Sequence, residues 1–269
     1  MAATMPPTVG TSGVGPLLRD WRQRRRLSQL DLANEAAVSA RHLSFVETGR
    51  SKPSRELVLH LAEHLDVPLR ERNGMLLAAG YAPTFRQTAL DAAEMAPVRE
   101  ALDTILAGHQ PFPALVVNRR WDVVTANDSA FAMLTEGIAE HLLSPPANAL
   151  RVSLHPDGLA PRIVNFPEWA AHLVDRLRRE AEAYADPQLF ELHDELCGYP
   201  GVTGSEVHDD TAGRLFVPLV LRTDAGELTF FSTVATFGTA RDITVEELSI
   251  ESFFPADAAT ADVLRARWR

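Results

Sequence analysis

The stretch LSQLDLANEAAVSARHLSFVETGR, residues 27–50, contains two short helical patterns separated by a break. Ser28, with an acidic residue three positions later, is a typical N-cap for the first helix, and Ser39 is one for the second. The first pattern ends near residues 37–38, so a connection of about three to four residues joins the helices. The stretch therefore predicts two helices joined by a tight turn.

Helical patterns continue on both sides of this stretch. Pro16, Ser54 and Pro68 each begin a further helix with apolar residues at helical spacing. Short helices in succession predict an all-α domain over residues 15–82. Residues 1–14 are rich in Gly, Pro, Thr and Ala, and are predicted to form a mobile arm.

The two central helices have the spacing of a helix-turn-helix motif. Residues 16–80 also resemble, without a gap, the XRE family of phage-repressor-like proteins. The positions that carry this resemblance are Leu18, Arg22, Leu27, Ser28, Gln29, Leu32, Ala33, Val38, Ser39, Leu43, Val46, Glu47, Gly49, Pro53, Ser54, Leu57, Leu61 and Ala62. The resemblance implies a lambda-repressor-like fold that binds double-stranded DNA, with the helix over residues 39–48 in the major groove and Glu47 paired with Arg22.

The helix over residues 39–48 has two faces. Leu43 and Val46 share one side and are expected to pack inward, which leaves the other side free to contact DNA. On that side Arg41 has the fork that pairs with guanine, and Phe45 can contact a thymine methyl group. The resemblance adds Gln29 as a phosphate clamp, and basic residues after the helix are expected along the backbone. The predicted DNA-binding residues are Gln29, Ser39, Ala40, Arg41, Ser44, Phe45, Arg50, Lys52 and Arg55.

Two other interpretations of this region remain open. The charged face could be a solvated surface of a helical interaction domain. His60 and His64 are spaced i,i+4 and could bind a metal ion, but with no carboxylate or thiolate pair nearby an exposed helical face is favoured. We therefore predict no metal site.

Composition and charge agree with a two-domain protein. The chain has 269 residues and a formal net charge of -10, yet residues 1–80 contain 11 Lys and Arg against 8 Asp and Glu. An acidic bulk repels DNA, so any nucleic-acid contact is expected in the first segment. The single cysteine, Cys197, excludes an internal disulfide. The sequence shows no long apolar run and no signal-peptide pattern, so a cytoplasmic location without membrane contact is predicted.

The sequence pattern changes after the helical domain. An amphipathic helix over residues 89–108 lies in a predicted linker, residues 83–110, and could equally serve in dimerisation. Two short β-branched runs follow, and then several helices and three further strands. The predicted strands are 115–117, 122–126, 214–222, 227–237 and 246–254, and the predicted helices are 129–134, 169–184, one from 186 and 258–267.

A hairpin, inserted helices and three strands form the order of a PAS-like sensor sheet. With the quoted helix-turn-helix residues and the stretch PALVVNRRWDVVTAN, residues 113–127, the whole chain resembles the MmyB-like transcription regulators. That resemblance implies an α+β PAS-like ligand-binding domain over residues 111–269, and fatty-acid-like ligands.

The predicted ligand site rests on aromatic residues and on possible carboxylate anchors. The strand over 228–237 is apolar, Ser or Thr on both faces, so both faces are expected to be covered. A bound carboxylate would prefer a bidentate partner such as arginine. Any one of these aromatic residues could instead belong to the hydrophobic core. The predicted ligand-binding residues are Trp121, Asn127, Phe131, Arg151, Arg162, Phe166, Trp169, Phe231 and Phe237, with His155 as a further anchor.

Enzymatic interpretations are not favoured. His193 and Cys197 are spaced i,i+4, but no third group orients them and no Gly-rich nucleophile turn is present. We predict a homodimeric regulator that binds a palindromic operator and senses a small apolar, fatty-acid-like molecule, with no other cofactor. One alternative is a second domain that serves only protein interaction or dimerisation; another is a haem or flavin sensor.

Overall fold

A computed structural model describes residues 13–203 and 216–267. The chain divides into two compact units. The first contains residues up to Gln87 together with Arg241–Ile243, and the second contains Thr88–Ala240 and the residues from Thr244 onwards. The predicted arm lies outside the described residues except for its last two positions, and Val14 already begins a helix.

The first unit is all-α, as the sequence predicts. Its helices begin where serine caps were expected, because the hydroxyls of Ser28, Ser39 and Ser54 each accept a hydrogen bond from the backbone N–H three residues later. Apolar residues of successive helices meet in one core that includes Leu18 and Leu43. The helices are α1 (Val14–Arg24), α2 (Gln29–Glu35), α3 (Ala40–Glu47), α4 (Arg55–His64) and α5 (Leu69–Ala78).

The turn between α2 and α3 contains a strained alanine. Ala37 has a φ of +50°, in the left-handed region that disfavours a residue with a Cβ by about 1–2 kcal/mol. Ala37→Gly should therefore raise the free energy of unfolding by about 0.5–1 kcal/mol, the strain relieved minus the extra freedom of the unfolded chain. Urea unfolding followed by circular dichroism measures this change. Ala36→Gly is the control, because Ala36 has a φ of -83° and should only lose stability. If Ala37→Gly and Ala36→Gly lowered the free energy of unfolding equally, Ala37 would not be strained.

The second unit combines helices with one antiparallel sheet. Among the described residues the strands lie in the order β2-β1-β5-β4-β3, and each neighbouring pair is antiparallel. This is the α+β PAS-like architecture that the sequence predicts. The elements are α6 (Ala96–His109), β1 (Ala114–Val117), β2 (Val123–Ala126), α7 (Asp128–Thr135), α8 (Glu140–Leu143), α9 (Ala149–Leu154), α10 (Phe166–Tyr184), α11 (Pro187–Cys197), β3 (Leu219–Thr223), β4 (Gly226–Thr236), α12 (Ile243–Glu246), β5 (Ser249–Pro255) and α13 (Ala258–Arg267).

Both faces of the sheet are covered at its strand β1. All four residues of β1 are buried, and they alternate between two apolar clusters. Ala114 and Val116 pack with Leu102 and Leu106 of α6. The other two residues of β1 point to the opposite face and pack in the larger core. The helix predicted within a linker at residues 83–110 therefore packs on the sheet and belongs to the second unit.

Some predicted element boundaries differ from the structure. The strand predicted to start at Glu246 begins only at Ser249, because Glu246 is the last residue of the short helix α12. Helices α8 and α9 were not predicted, since their short apolar runs show no clear helical or strand period. The first two residues of the strand predicted at 214–222 lie outside the described residues, and β3 begins at Leu219.

Candidate DNA-binding surface and ligand cavity

A buried ion pair fixes the position of α3. The guanidinium of Arg22 donates to both carboxylate oxygens of Glu47, with Nε–Oε1 at 2.7 Å and Nη2–Oε2 at 2.9 Å. The same guanidinium donates from Nη1 to the Leu27 carbonyl at 2.8 Å, and the Gln29 amide donates to Glu47 Oε2 at 2.7 Å. The predicted pairing of Glu47 with Arg22 is thus confirmed. Burial opposes ionisation of Glu47, but the hydrogen bonds from Arg22 and Gln29 outweigh it and lower the pKa of this carboxyl.

Close backbone packing also holds α3 in place. Gly15 of α1 lies against the end of α3, where a Cβ would be 2.5 Å from the Val46 carbonyl oxygen and 2.6 Å from that of Glu47. Only glycine allows this approach without movement of the backbone. Helix α3, the candidate recognition helix, is therefore held in place by its core side chains, by the Glu47 carboxylate and by the backbone contact with Gly15.

The outer face of α3 presents an aromatic ring with two arginines close to it. Arg41 and His42 are exposed, Ser44 and Phe45 are half-buried, and Leu43 lies in the core. The guanidinium of Arg41 lies 5.4 Å from the centroid of the Phe45 ring, and that of Arg50 lies 6.0 Å from it. Phe45 is thus covered by cations that can also face a phosphate or a base edge. Ala40 is half-buried at the start of the same helix.

Four other predicted DNA-binding residues have partners within the unit. The Ser39 hydroxyl caps α3, and the Gln29 amide is bound to Glu47 rather than directed at solvent. The Lys52 ammonium lies 5.3 Å from the centroid of the Tyr81 ring, and Arg55 donates to the Thr84 hydroxyl at 2.7 Å. Contacts from Gln29 or Arg55 to phosphate would therefore replace or share these bonds.

The second unit contains a cavity between the inner face of the sheet and helices α9 and α10. Its volume is about 50 Å³, which is enough for a few water molecules. Most of its wall is apolar: Leu115, Trp121, Met133, Leu134, Ala149, Leu150, Leu159, Trp169, Leu173, Leu219 and Phe253. Its polar wall consists of Ser153, His172, Arg176, Ser232 and Glu251.

Charged side chains meet at one part of this wall. Arg176 Nη1 lies 2.7 Å from Glu251 Oε1, and Arg176 Nε lies 2.9 Å from Glu180 Oε1. The guanidinium also stacks 4.4 Å from the centroid of the Trp121 ring, whose N–H donates to Glu180 at 2.9 Å. Burial raises the pKa of the Glu251 carboxyl. Burial, and then the charge of Arg176, lower the pKa of His172, so this ring is neutral at pH 7.

Two family profiles match the chain. A helix-turn-helix domain profile matches residues 14–74, and the profile of the MmyB-like transcription regulator ligand binding domain matches residues 98–266, more than half of the chain. The chain belongs to the MmyB-like transcription regulators. Both profiles describe parts of a regulator rather than of an enzyme. No curated protein matches the chain. Among the described residues, no helix is long and apolar enough to span a membrane.

In this MmyB-like domain the cavity contains only part of the predicted ligand set. Trp121 and Trp169 line it. Phe166 is half-buried against the same core, whereas Phe131 is 64% exposed. Phe231 lies on the opposite face of β4, stacked on Phe254 at 5.2 Å, and Phe237 packs against the α6 cluster. The prediction that both faces of this strand are covered is wrong for residues 233–236, which are exposed, and the strand's composition does not indicate which face borders a cavity.

Asn127, a predicted ligand-binding residue, has a structural role in which its side chain is hydrogen-bonded within the protein. Its side-chain carbonyl accepts from the N–H groups of Ala114 and Ala130 at 3.0 and 2.9 Å. Its amide donates to the carbonyls of Phe112 and Leu106 at 2.8 and 3.3 Å. These bonds cap α7 and tie it to β1, and they use the hydrogen-bonding capacity of the side chain.

The predicted carboxylate anchors do not line this cavity. Arg151 forms a bidentate pair with Glu195, with both distances 2.7 Å, on the surface. Arg162 donates to the Glu136 carbonyl at 2.6 Å and lines a smaller second cavity of about 30 Å³. Each guanidinium is thus already engaged with an oxygen of the protein.

His155 belongs to a separate surface cluster. Its ligand atom and those of His141 and Asp157 lie within 4.8 Å of one another, the one such group of three among the described residues. The His155 Nδ1 already accepts a hydrogen bond from the Asp157 N–H at 3.0 Å. In the first unit, His60 Nε2 lies 2.7 Å from the Ala36 carbonyl oxygen, so this ring is also engaged.

The Cys197 thiol is not activated. Its sulfur lies 3.7 Å from His193 Nε2, but burial, and then the charge of Asp194, raise the pKa of the thiol. A nucleophilic cysteine needs the opposite shift.

Sequence reasoning missed the polar wall of the cavity. In α10, His172 and Arg176 follow Trp169 at i+3 and i+7, so they lie along the helix stripe that faces the core. Glu251 is a charged residue in β5, the strand that contains the buried Ile250 and Phe253, and a buried charge indicates a partner of opposite charge. The partner, Arg176, is distant in the sequence, so no local pattern could identify it.

Proposed function

We propose that this regulator binds, as a homodimer in the cytoplasm, to a palindromic operator and that a small, mainly apolar, fatty-acid-like molecule in the second unit alters this binding. The observation that carries the DNA-binding part is the face of α3. Arg41 and Phe45 are presented outward, while Glu47 on the other side is held by Arg22. This arrangement agrees with a recognition helix of the XRE type.

Preorganisation supports this role for α3. A recognition helix must place side chains against base edges, and freezing a loosely held helix on binding would lower affinity. Here the ion pair, the Gly15 contact and the core residues fix α3 before DNA arrives. Dimeric helix-turn-helix proteins contact half-sites about 34 Å apart, one turn of DNA. We therefore expect an inverted repeat with that spacing.

The cavity supports the ligand-binding part. It is apolar over most of its wall, and Met133 lines both it and the smaller second cavity. We propose that rotation of this flexible side chain joins the two spaces and makes room for an alkyl chain. A ligand that separates the sheet from α10 would also disturb β1, and on the other face of β1 lies α6, which follows the helix-turn-helix unit in the chain. We propose α6 as the element that transmits ligand binding.

Selection of bound DNA from a random pool, with and without extracted lipid, tests the proposal. We expect one inverted repeat to be enriched by the full chain, and the yield of that repeat to change when lipid is added. A pool without an enriched sequence would contradict the DNA-reading role, and enrichment unaffected by any lipid would contradict the sensing role.

A second candidate function is a protein-interaction or dimerisation role for the second unit. The observation that favours it is an aromatic group on the outer sheet face, where Phe216 is 54% exposed and lies 5.7 Å from the Phe231 ring. Native mass spectrometry separates the two candidates. A retained small molecule supports sensing, whereas a dimer that stays empty in the presence of lipid supports the interaction role.

A further inference from the structure

Two histidines and one aspartate meet on the surface of the second unit, outside the two cavities described above. His141 lies in α8, and His155 and Asp157 lie in the turn that follows α9. One ligand atom from each of the three side chains lies within 4.8 Å of the others, and His155 Nδ1 is 3.8 Å from Asp157 Oδ2. Imidazole nitrogens and carboxylate oxygens are donors that bind zinc and related divalent metals.

The spacing of these three ligand atoms is close to that of a metal site. A tetrahedral zinc ion holds nitrogen and oxygen ligands at about 2.0–2.2 Å, which places those ligands roughly 3.3 Å from one another. The separation between His155 Nδ1 and Asp157 Oδ2 therefore has to close by only about 0.5 Å. The His141 side chain is exposed, so a change of rotamer can close its larger distance to the other two.

Backbone contacts hold the two segments that carry the ligands. The Ala139 N–H donates to the Asp157 carbonyl at 3.0 Å, which joins the start of α8 to the turn after α9. Within the turn, the Gly158 N–H donates to the His155 carbonyl at 2.9 Å. A Cβ on residue 158 would collide with the Val152 carbonyl oxygen, so glycine is needed for this turn. The segments are thus positioned by bonds that do not involve the three ligand side chains.

The hydrogen bonding of the His155 ring favours metal binding at Nδ1. The Asp157 backbone N–H donates to Nδ1 at 3.0 Å, so this nitrogen carries a lone pair instead of a proton. A metal ion would replace this backbone donor, and because the Asp157 N–H is at the surface, water can satisfy it afterwards. The Tyr199 ring stands edge-on to the His155 ring, with centroids 5.0 Å apart, and limits its rotation.

The charges around the cluster also favour a cation. Metal-bound imidazoles are neutral and a metal-bound carboxylate is negative, so the three ligands together supply one negative charge. Arg151, one turn before His155 on α9, forms its bidentate pair with Glu195 and is thereby neutralised. The chain as a whole has a formal net charge of -10, which further attracts cations.

We infer that His141, His155 and Asp157 bind one divalent transition metal ion, of which Zn²⁺ is the representative, with water as the remaining ligand. Three protein ligands and a water form the usual set of an open zinc site. The ion would join α8 to the end of α9, a helix that lines the larger cavity, and would stabilise that part of the second unit. The site differs from the prediction of no metal site, because His141 is distant in the sequence from the other two ligands. It does not depend on the proposed sensing function.

Titration of the full chain with zinc chloride tests the inference. The chain is first treated with EDTA and exchanged into metal-free buffer, and binding is followed by isothermal calorimetry. His141→Ala and Asp157→Ala should each weaken zinc binding by at least about tenfold, because even the loss of a group that supports a metal ligand costs about 10–100-fold. Zinc should also raise the melting temperature of the native chain, since it binds the folded state.

His64→Ala is the matched control, because His64 is also an exposed histidine on a helix but lies in the first unit. This variant should bind zinc as tightly as the native chain. His141 and Asp157 are both exposed, so their replacement leaves the core intact, which circular dichroism verifies. Failure of the native chain to bind zinc, or equal zinc affinity in the native chain and in both ligand variants, would overturn the inference. Either result would leave the proposed DNA-binding and sensing functions unaffected.

Discussion

Glu47→Ala should destabilise the helix-turn-helix unit by about 3–5 kcal/mol, the range found when one partner of a buried ion pair is removed. The side chain of Glu47 is 1% exposed and that of Arg22 is 9% exposed, so the remaining guanidinium would stay buried without its counter-charge. The Gln29 amide would lose its acceptor in the same change. Thermal unfolding followed by circular dichroism should show a clearly lower melting temperature for this unit.

Glu63→Ala is the control for this prediction, because Glu63 is an exposed carboxylate on α4 of the same unit. Its removal should change stability by less than about 0.5 kcal/mol. Similar melting temperatures for the native chain and the Glu47 variant would show that the ion pair does not hold α3.

The same carboxylate gives the stability a defined pH dependence. The pKa of Glu47 is lower in the folded chain than its ordinary value of 4.5. Its contribution is therefore fully present above pH 4.5 and is lost as the pH falls through the folded-state pKa. The native chain should consequently lose more stability on acidification than Glu47→Gln does.

Arg41→Ala should weaken binding to the preferred operator by about 1–3 kcal/mol and relax the preference at one base pair, as expected for the loss of a guanine contact. Arg41 is exposed on α3 and its ring partner is Phe45, so the change should leave the melting temperature nearly unaffected. Fluorescence anisotropy with the selected operator and with single-base variants measures both effects.

Lys52→Ala gives the contrasting result. Lys52 is exposed after α3 and was predicted to contact the DNA backbone, so its removal should weaken binding to all sequences alike and reduce the salt dependence. If Arg41→Ala lowered affinity equally for every sequence, Arg41 would have a backbone role and no base-reading role.

The two units differ in how far the sequence predicts them. The helix-turn-helix unit depends on short-range signals, namely serine caps and apolar residues at helical spacing, and these place α2 and α3 correctly. The Arg22–Glu47 pair joins distant positions, and only the family resemblance indicated it. The resemblance also suggested Gln29 as a phosphate clamp, whereas in the structure its amide is bound to Glu47.

The sequence predicts the residues of the cavity less completely than those of the helix-turn-helix unit. Its wall combines residues that are distant in the sequence, from Leu115 to Phe253. Whether an aromatic residue borders the cavity depends on the face of the strand that carries it. Phe231 and Phe253 illustrate this, since only Phe253 lies on the inner face. Asn127 had a clear local signal, because an Asn before a helix is a common cap. That local signal favours the helix-capping role over a role in ligand binding.

The affinity of the full chain for its selected operator, measured by fluorescence anisotropy with and without a saturating apolar ligand, tests the central claim most directly. If the second unit senses a ligand and controls DNA binding, the operator Kd should change by at least about fivefold, the lower end of typical coupling between two sites. An operator Kd that stays the same when calorimetry shows the ligand to be bound would contradict the account.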